Sequence, residues 1–124
     1  MQNLDQIRAL NALKATEKYT PKGENGGNVI KQVPAMIQQN GLLGAMAFAF
    51  DDKPGHKAVL QGAIEHYASV CNGAPATIEE FAGWIITQDA AMLRAATAEI
   101  LAYLNYYRRF ASANLEEAPN ANRN

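Results

Sequence analysis

Alanine sets the main limit on how this chain can fold, because 23 of the 124 residues are alanine, whereas valine, isoleucine and threonine together number 17. Alanine has the highest helix propensity, while β-branched residues favour strands. No segment alternates convincingly between polar and apolar residues. Prolines stand near turn-forming residues or at first-turn positions, at residues 21, 34, 54, 75 and 119. The sequence therefore predicts an all-α fold, a compact single-domain bundle of about five or six helices with a long C-terminal helix.

Capping residues mark where several helices begin. Asn3 is followed by Gln6, and Thr77 by Glu80, at the three-residue spacing of a capping box. Asp89 is placed to cap the longest helix. The predicted helices cover about residues 3–19, 29–40, 42–50, a segment after residue 55 that ends near 71, then 77–87 and 89–113. The glycine-rich stretch 23–28 is predicted to be a loop.

The middle of the chain leaves two points open. Pro34 either kinks the second helix or occupies the first turn of a new one. Gly41 suits the position just after a helix end, where a left-handed backbone is common. Residues 42–50 are almost wholly apolar, which favours a short buried helix, with a strand as the alternative.

Two helical stripes of apolar residues are predicted to form much of the core. They comprise Leu60, Ala63, Ile64, Tyr67 and Cys71, and, in the last helix, Leu93, Thr97, Ile100, Leu104, Tyr107 and Ala111. Tyr103 is expected in the core as well, whereas Tyr106 fits either the core or a patch that binds a partner. We expect the bundle to occupy residues 1–113 and residues 114–124 to form a disordered tail, because the composition there turns to Asn, Glu and Pro.

Composition also bears on where the protein works. A single cysteine, Cys71, excludes an intramolecular disulfide and favours a reducing compartment. The longest apolar run, residues 41–50, is far shorter than the ~20 residues of a membrane span. The first five residues lack the basic and apolar regions of a secretion signal. We therefore expect a cytoplasmic, soluble protein.

No set of residues predicts catalysis. His56 and His66 lie ten residues apart, without a cysteine or glutamate at a metal-binding spacing, so both are interpreted as structural or solvent-exposed. Cys71 falls on an apolar stripe and is expected to pack as a small hydrophobe. The glycines after Lys22 match no phosphate-binding motif. We expect no enzymatic activity, no cofactor and no metal site.

Charge is unevenly distributed although the net charge is only −1. Residues 41–90 hold six acidic and two basic residues, whereas the first and last helices carry an excess of basic residues. The first helix places Arg8, Asn11, Lys14 and Lys18 within about 120° of one another, opposite Ala9, Leu10 and Leu13. The last helix similarly groups Arg94, Asn105, Arg108 and Arg109, with Glu99 projecting elsewhere. The two helices are predicted to share a basic outer surface suited to a phosphate backbone, although such residues also serve simply to solvate helices.

Three stretches of the sequence together resemble a known family. Residues 34–42, Pro-Ala-Met-Ile-Gln-Gln-Asn-Gly-Leu, resemble the P-x-M-I-x-x-N-G-L stretch of the small helical subunit of the type III-B CRISPR effector, the Cmr or RAMP module complex. Residues 97–111 are similar to its T-x-E-A-L-x-[FY]-L-x-W-L-[KR]-R-F-A ending, and the early pair Arg8 and Ala9 agrees too. The sequence departs from the family at Tyr106 and Tyr107, which replace Trp and Leu, and at the glycine-rich residues 20–28.

The resemblance implies a non-catalytic structural subunit of an RNA-guided antiviral ribonucleoprotein. Several copies would stack into a minor filament beside the backbone RAMP subunits, linking toward the large polymerase-like subunit and flanking the guide and target RNA. Cleavage of RNA and synthesis of cyclic oligonucleotides belong to other subunits of such complexes. The acidic middle would meet a basic partner or the next copy. The residues expected to contact RNA are Arg8, Lys14, Lys18, Arg108 and Arg109.

Three other interpretations remain open at the level of sequence. The chain could be a generic helical adaptor or dimerisation module without RNA contact. It could be the equivalent small subunit of a type III-A complex, which would share the fold class and role. The third is a small enzyme using His66 with Glu65 or Glu99, which ranks last because the sequence does not bring either acid to that histidine.

Overall fold

Five α-helices make up most of the computed structural model, which describes residues 2–19 and 26–122. In chain order they are α1 (Leu4–Tyr19), α2 (Gly26–Phe50), α3 (Pro54–Val70), α4 (Ile78–Ile86) and α5 (Ala90–Asn122). Neither described range contains a strand. The predicted all-α fold and the long C-terminal helix are confirmed.

The predicted capping residues do cap their helices. The Asn3 side chain accepts a hydrogen bond from the Gln6 backbone N–H, and the Gln6 side chain accepts one from the Asn3 N–H, both at 2.8 Å. The Thr77 hydroxyl accepts a bond from the Glu80 N–H at 3.3 Å, and Asp89 Oδ1 accepts one from the N–H three residues on at 2.8 Å. Three helix starts were thus predicted correctly from local chemistry.

Helix α2 consists of two helical segments that meet at Gly41. Gly41 has φ 81° and ψ 165°, and a positive φ is strained for any residue with a Cβ. The segment after it is helical, so the strand alternative for residues 42–50 is wrong. Pro34 lies inside the first segment and does not divide it. Helix α2 starts at Gly26, so the predicted loop is wrong for residues 26–28, while the rest of it lies outside the described residues.

The core lies between α5 and the helices packed on it, α1, α2 and α3. The stripe of α3 is buried from Leu60 to Tyr67, with Cys71 partly exposed beyond it. In α5, Leu93 and Thr97 are half-buried, and the stripe is fully buried from Ile100 onward. Both apolar stripes predicted from helical spacing therefore face the core.

Gly62 allows α3 to approach α1 and α5 closely. A Cβ at this position would lie 3.1 Å from the Tyr103 hydroxyl oxygen and 3.1 Å from Cδ2 of Tyr19. Tyr103 is fully buried, and its hydroxyl has no hydrogen-bond partner within the described residues. Such close packing requires the absence of a side chain at Gly62.

Helix α5 continues past Ala113, where the sequence predicts its end, as far as Asn122. The division into a bundle at residues 1–113 and a disordered tail at residues 114–124 stays a prediction. Within residues 2–19 and 26–122, none of the helices has the length and apolar character that crossing a bilayer requires.

Candidate functional site

The first helix presents a different face to the core than the sequence predicts. Its buried residues are Ala12, Ala15 and Thr16, whereas Leu10 and Leu13 are 38% and 53% exposed. The arc opposite the basic residues therefore faces outward. Small side chains let α1 pack closely on its neighbours, and part of the predicted basic arc is turned toward the interior as a result.

Arg8 is the residue most affected by this orientation. Its Nε and Nη2 groups donate hydrogen bonds to the two carboxylate oxygens of Glu99, at 2.8 and 2.7 Å. Asp5 lies 3.5 Å away on the same helix. Hydrogen bonding to Glu99 raises the pKa of Arg8 above its ordinary value. Glu99, which helical spacing places away from the basic face of α5, joins α5 to α1 through a two-pronged ion pair.

His66 completes a network that joins three helices. Its Nε2 lies 2.8 Å from Oε2 of Glu99, and the amide of Asn11 lies 2.9 Å from its Nδ1. The imidazole also stacks on the Tyr103 ring, with ring centroids 4.9 Å apart. Burial lowers the pKa of His66, against the opposing effect of Glu99. The neutral ring fits these partners, because its Nε2–H donates to Glu99 while Nδ1 accepts from Asn11.

The acid and histidine that an enzyme would need are thus in contact, but neither is paired with a nucleophile within the described residues. The Nδ1 of His66 is occupied by the Asn11 amide, and the Ser69 hydroxyl donates to the His66 carbonyl oxygen at 2.6 Å.

His56 is also buried, with Nε2 3.1 Å from Gln32 and its ring against Phe48. Both histidines therefore hold helices together. No group of three or more potential metal ligands occurs in residues 2–19 and 26–122.

The buried histidines make the stability of the fold dependent on pH. Burial lowers the pKa of both His66 and His56 below the ordinary value of 6.5. The unfolded chain then binds more protons than the folded chain as the pH falls below 6.5, so the free energy of unfolding is expected to decrease in that range. Urea unfolding between pH 7.5 and 5 measures this decrease.

His66→Gln is the matched variant for this measurement, since its amide can donate to Glu99 and its carbonyl can accept from Asn11. We expect the variant to show a flatter pH dependence than the wild-type chain. An equally steep decline in the variant would assign the pH dependence to other groups.

Two of the predicted RNA-binding residues, Lys14 and Lys18, lie together in a cleft of about 260 Å³ between α1 and α3. Glu65 lies on the α3 side of this cleft, with its Oε2 3.9 Å from the Lys18 ammonium, and it also accepts a hydrogen bond from the Tyr19 hydroxyl. Lys14 is exposed and has no ion-pair partner among the residues that the structure describes.

Arg108 lies in a second cleft, between α2 and α5, with a volume of about 370 Å³. Its neighbours there include Lys31, Gln38 and Asn105. Lys31 was missed by the sequence analysis, because only the packing of α2 on α5 brings it to Arg108. Arg109 is exposed on α5 and lines neither cleft. Four of the five predicted residues thus belong to an ion pair or to one of the two clefts, and Arg109 belongs to neither. Their union in one basic surface stays a prediction.

Comparison with known proteins shows what this helical arrangement is similar to. Residues 4–114 match the model of a family described as "CRISPR-associated protein (Cas_Cmr5)". The fold is similar to the crystal structure of a CRISPR-associated Cmr5 family protein from Thermus thermophilus, with a TM-score of 0.74 and 21% sequence identity. That match covers 90% of this chain and 97% of the Thermus chain. No curated protein matches the sequence.

Proposed function

The chain belongs to the Cas_Cmr5 family of CRISPR-associated proteins, and from this premise we propose that it forms the minor filament of a type III-B effector complex and flanks the guide and target RNA there. In this proposal the subunit is structural, and its partners are the backbone RAMP subunits, the large polymerase-like subunit and further copies of itself. As a member of this family, the chain is a small subunit of a type III CRISPR complex.

The observation that carries the RNA part of the proposal is the availability of basic side chains in the two clefts and, outside them, at Arg109. Lys14, Arg108 and Arg109 have no ion-pair partner among the described residues. Lys18 is only loosely paired, at 3.9 Å from Glu65, and its side chain is 67% exposed. Such side chains can neutralise phosphates and release the counterions that surround RNA. Arg8 is not among these available side chains, because its guanidinium donates to Glu99.

The filament part of the proposal is supported by acidic residues in the middle of the chain. Asp51, Asp52, Glu79 and Glu80 are exposed, at the end of α2 and the start of α4. Exposed acidic and basic residues on different parts of one chain would suit head-to-tail stacking, in which different patches meet and the contact can be repeated.

The test of this function is RNA capture by the assembled effector. A variant with Lys14, Lys18, Arg108 and Arg109 changed to alanine is expected to bind target RNA more weakly and with less salt dependence. The logarithm of the binding constant falls linearly with the logarithm of the salt concentration. If each residue contacts one phosphate, this dependence becomes less steep by about 2.8, at ~0.7 per single-strand contact. Binding of labelled target RNA at several salt concentrations measures the slope. Arg8 is left intact, because its loss would also break the ion pair with Glu99.

A control variant with Lys53 and Lys57 changed to alanine removes charge elsewhere on the surface and should retain the wild-type slope. An unchanged slope in the four-residue variant would contradict the RNA assignment. If, in addition, the tagged chain purified from its host without larger subunits or guide RNA, a generic helical adaptor would be the better description. Neighbouring genes would distinguish a type III-B complex from a type III-A complex.

A further inference from the structure

We infer that the cleft between α2 and α5 holds the phosphate backbone of single-stranded RNA, with Lys31 and Arg108 as the phosphate-binding residues. The inference rests on the proposed function and specifies where on the chain, and with which form of RNA, the contact is made. It assigns a role to Lys31, which the sequence did not single out, and to the amide side chains of Gln38 and Asn105, which line the same cleft.

The charge of the cleft favours an anionic ligand. Its lining contains two cations and no carboxylate, whereas the α1–α3 cleft contains Glu65 and the cleft beside Phe50 contains Asp52. Neither Lys31 nor Arg108 forms an ion pair with any described residue. Both charges are therefore available to a ligand, and no carboxylate among the residues that line the cleft competes with a phosphate for them.

The shape of the cleft favours a single strand over a duplex. Lys31 and Gln38 are seven residues apart on α2, and Leu101 and Arg108 are seven residues apart on α5, so each helix contributes one face over two turns, about 10 Å. Pro34, Ala35 and Leu101 line the recess between these polar side chains. A flexible strand can lower a phosphate into a recess between two packed helices, whereas an A-form duplex keeps its phosphates on a stiff, wide surface.

The lining also predicts binding without sequence preference. None of the cleft residues is aromatic, so the bases have no ring to stack on. The amides of Gln38 and Asn105 can donate to phosphate oxygens, which carry no sequence information. A simple oligouridylate is therefore an adequate probe.

The test uses the full-length chain and a fluorescein-labelled 12-nucleotide oligouridylate, with fluorescence anisotropy recorded at several salt concentrations. The wild-type chain should bind the single strand at low salt, and Lys31→Ala combined with Arg108→Ala should weaken binding on the order of 10-fold. The salt dependence should become less steep by about 1.4, for two contacts at ~0.7 each. A variant with Lys31→Arg and Arg108→Lys keeps both charges and should keep the slope. Lys53→Ala with Lys57→Ala is the matched control and should leave binding unchanged.

Three results would overturn the inference. They are no binding of the oligouridylate by the wild-type chain, an unchanged slope in the double alanine variant, and an equal loss of affinity for a duplex of the same length. Sedimentation of the same variant tests the other possible occupant, since loss of self-association with intact RNA binding would assign the cleft to an acidic surface of a second copy. Failure of the proposed function is seen separately, when the wild-type chain does not co-purify with larger subunits and guide RNA.

Discussion

Replacing Glu99 by alanine is expected to lower the free energy of unfolding by about 2–3 kcal/mol, because it leaves donors of two side chains, the half-buried Arg8 and the buried His66, without their acceptor. The Arg8 guanidinium loses both of its bonds to the carboxylate, and the Nε2–H of His66 loses its only partner in the described residues. The side chains of Arg8 and Glu99 are 23% and 12% exposed, so water compensates only in part. The expected effect is therefore below the ~3–5 kcal/mol of a fully buried pair. For a chain of this size it corresponds to a decrease in Tm of about 10 °C.

A double-mutant cycle separates the pair from its surroundings. Arg8→Ala, Glu99→Ala and the combined variant should show a coupling energy of about 1–3 kcal/mol, since the two side chains are in direct contact. The ion pair between Lys57 and Glu79 is a suitable control, because its 2.7 Å distance equals the shorter bond from Arg8 to Glu99 while its side chains are 41% and 59% exposed. Glu79→Ala should therefore change Tm far less than Glu99→Ala. Similar shifts in the two variants would show that burial of Glu99 is not what makes the pair important.

The Arg8–Glu99 pair also shows where prediction from the sequence stops. Capping by Asn3 and Thr77 was predictable because each cap and its partner are three residues apart. The stripes of α3 and α5 were predictable because helical periodicity alone brings their members to one face. Arg8 and Glu99 are 91 residues apart, and His66 and Glu99 are 33 residues apart, so only the packing of three helices could reveal their network.

The orientation of α1 was mispredicted for a physical reason. Counting side-chain hydrophobicity places Leu10 and Leu13 inside, but close helix packing favours small residues, and here Ala12, Ala15 and Thr16 are buried. Gly62 on α3 allows the same close approach from the other side of the contact. Which face of α1 is buried thus depends on the shape of its neighbours, which the α1 sequence does not contain. The same limit applies to Lys31, whose role depends on the position of α5.

Helix α4 shows how much a short element depends on one side chain, and Phe81→Ala tests it with an expected loss of about 3–5 kcal/mol in the free energy of unfolding. The nine residues of α4 are too few for a stable isolated helix, so its structure depends on packing. Phe81 is fully buried, and its ring centroid lies 5.9 Å from that of Tyr67 and 5.7 Å from that of Trp84.

The loss should begin in α4 itself, because this helix packs against α3 and α2 at the edge of the core. The side chain of Gln61 also holds its start, accepting from the Ile78 N–H at 2.8 Å and donating to the Ala76 carbonyl at 2.7 Å. We therefore expect hydrogen exchange in Phe81→Ala to accelerate first at the amides of α4, while those of α5 near Tyr103 stay protected. Ile86→Ala on the same helix removes a side chain that is 66% exposed and should change stability by no more than about 0.5 kcal/mol. If Phe81→Ala behaved like Ile86→Ala, the polar contacts of Gln61, and not the buried ring, would be what holds α4 to the bundle.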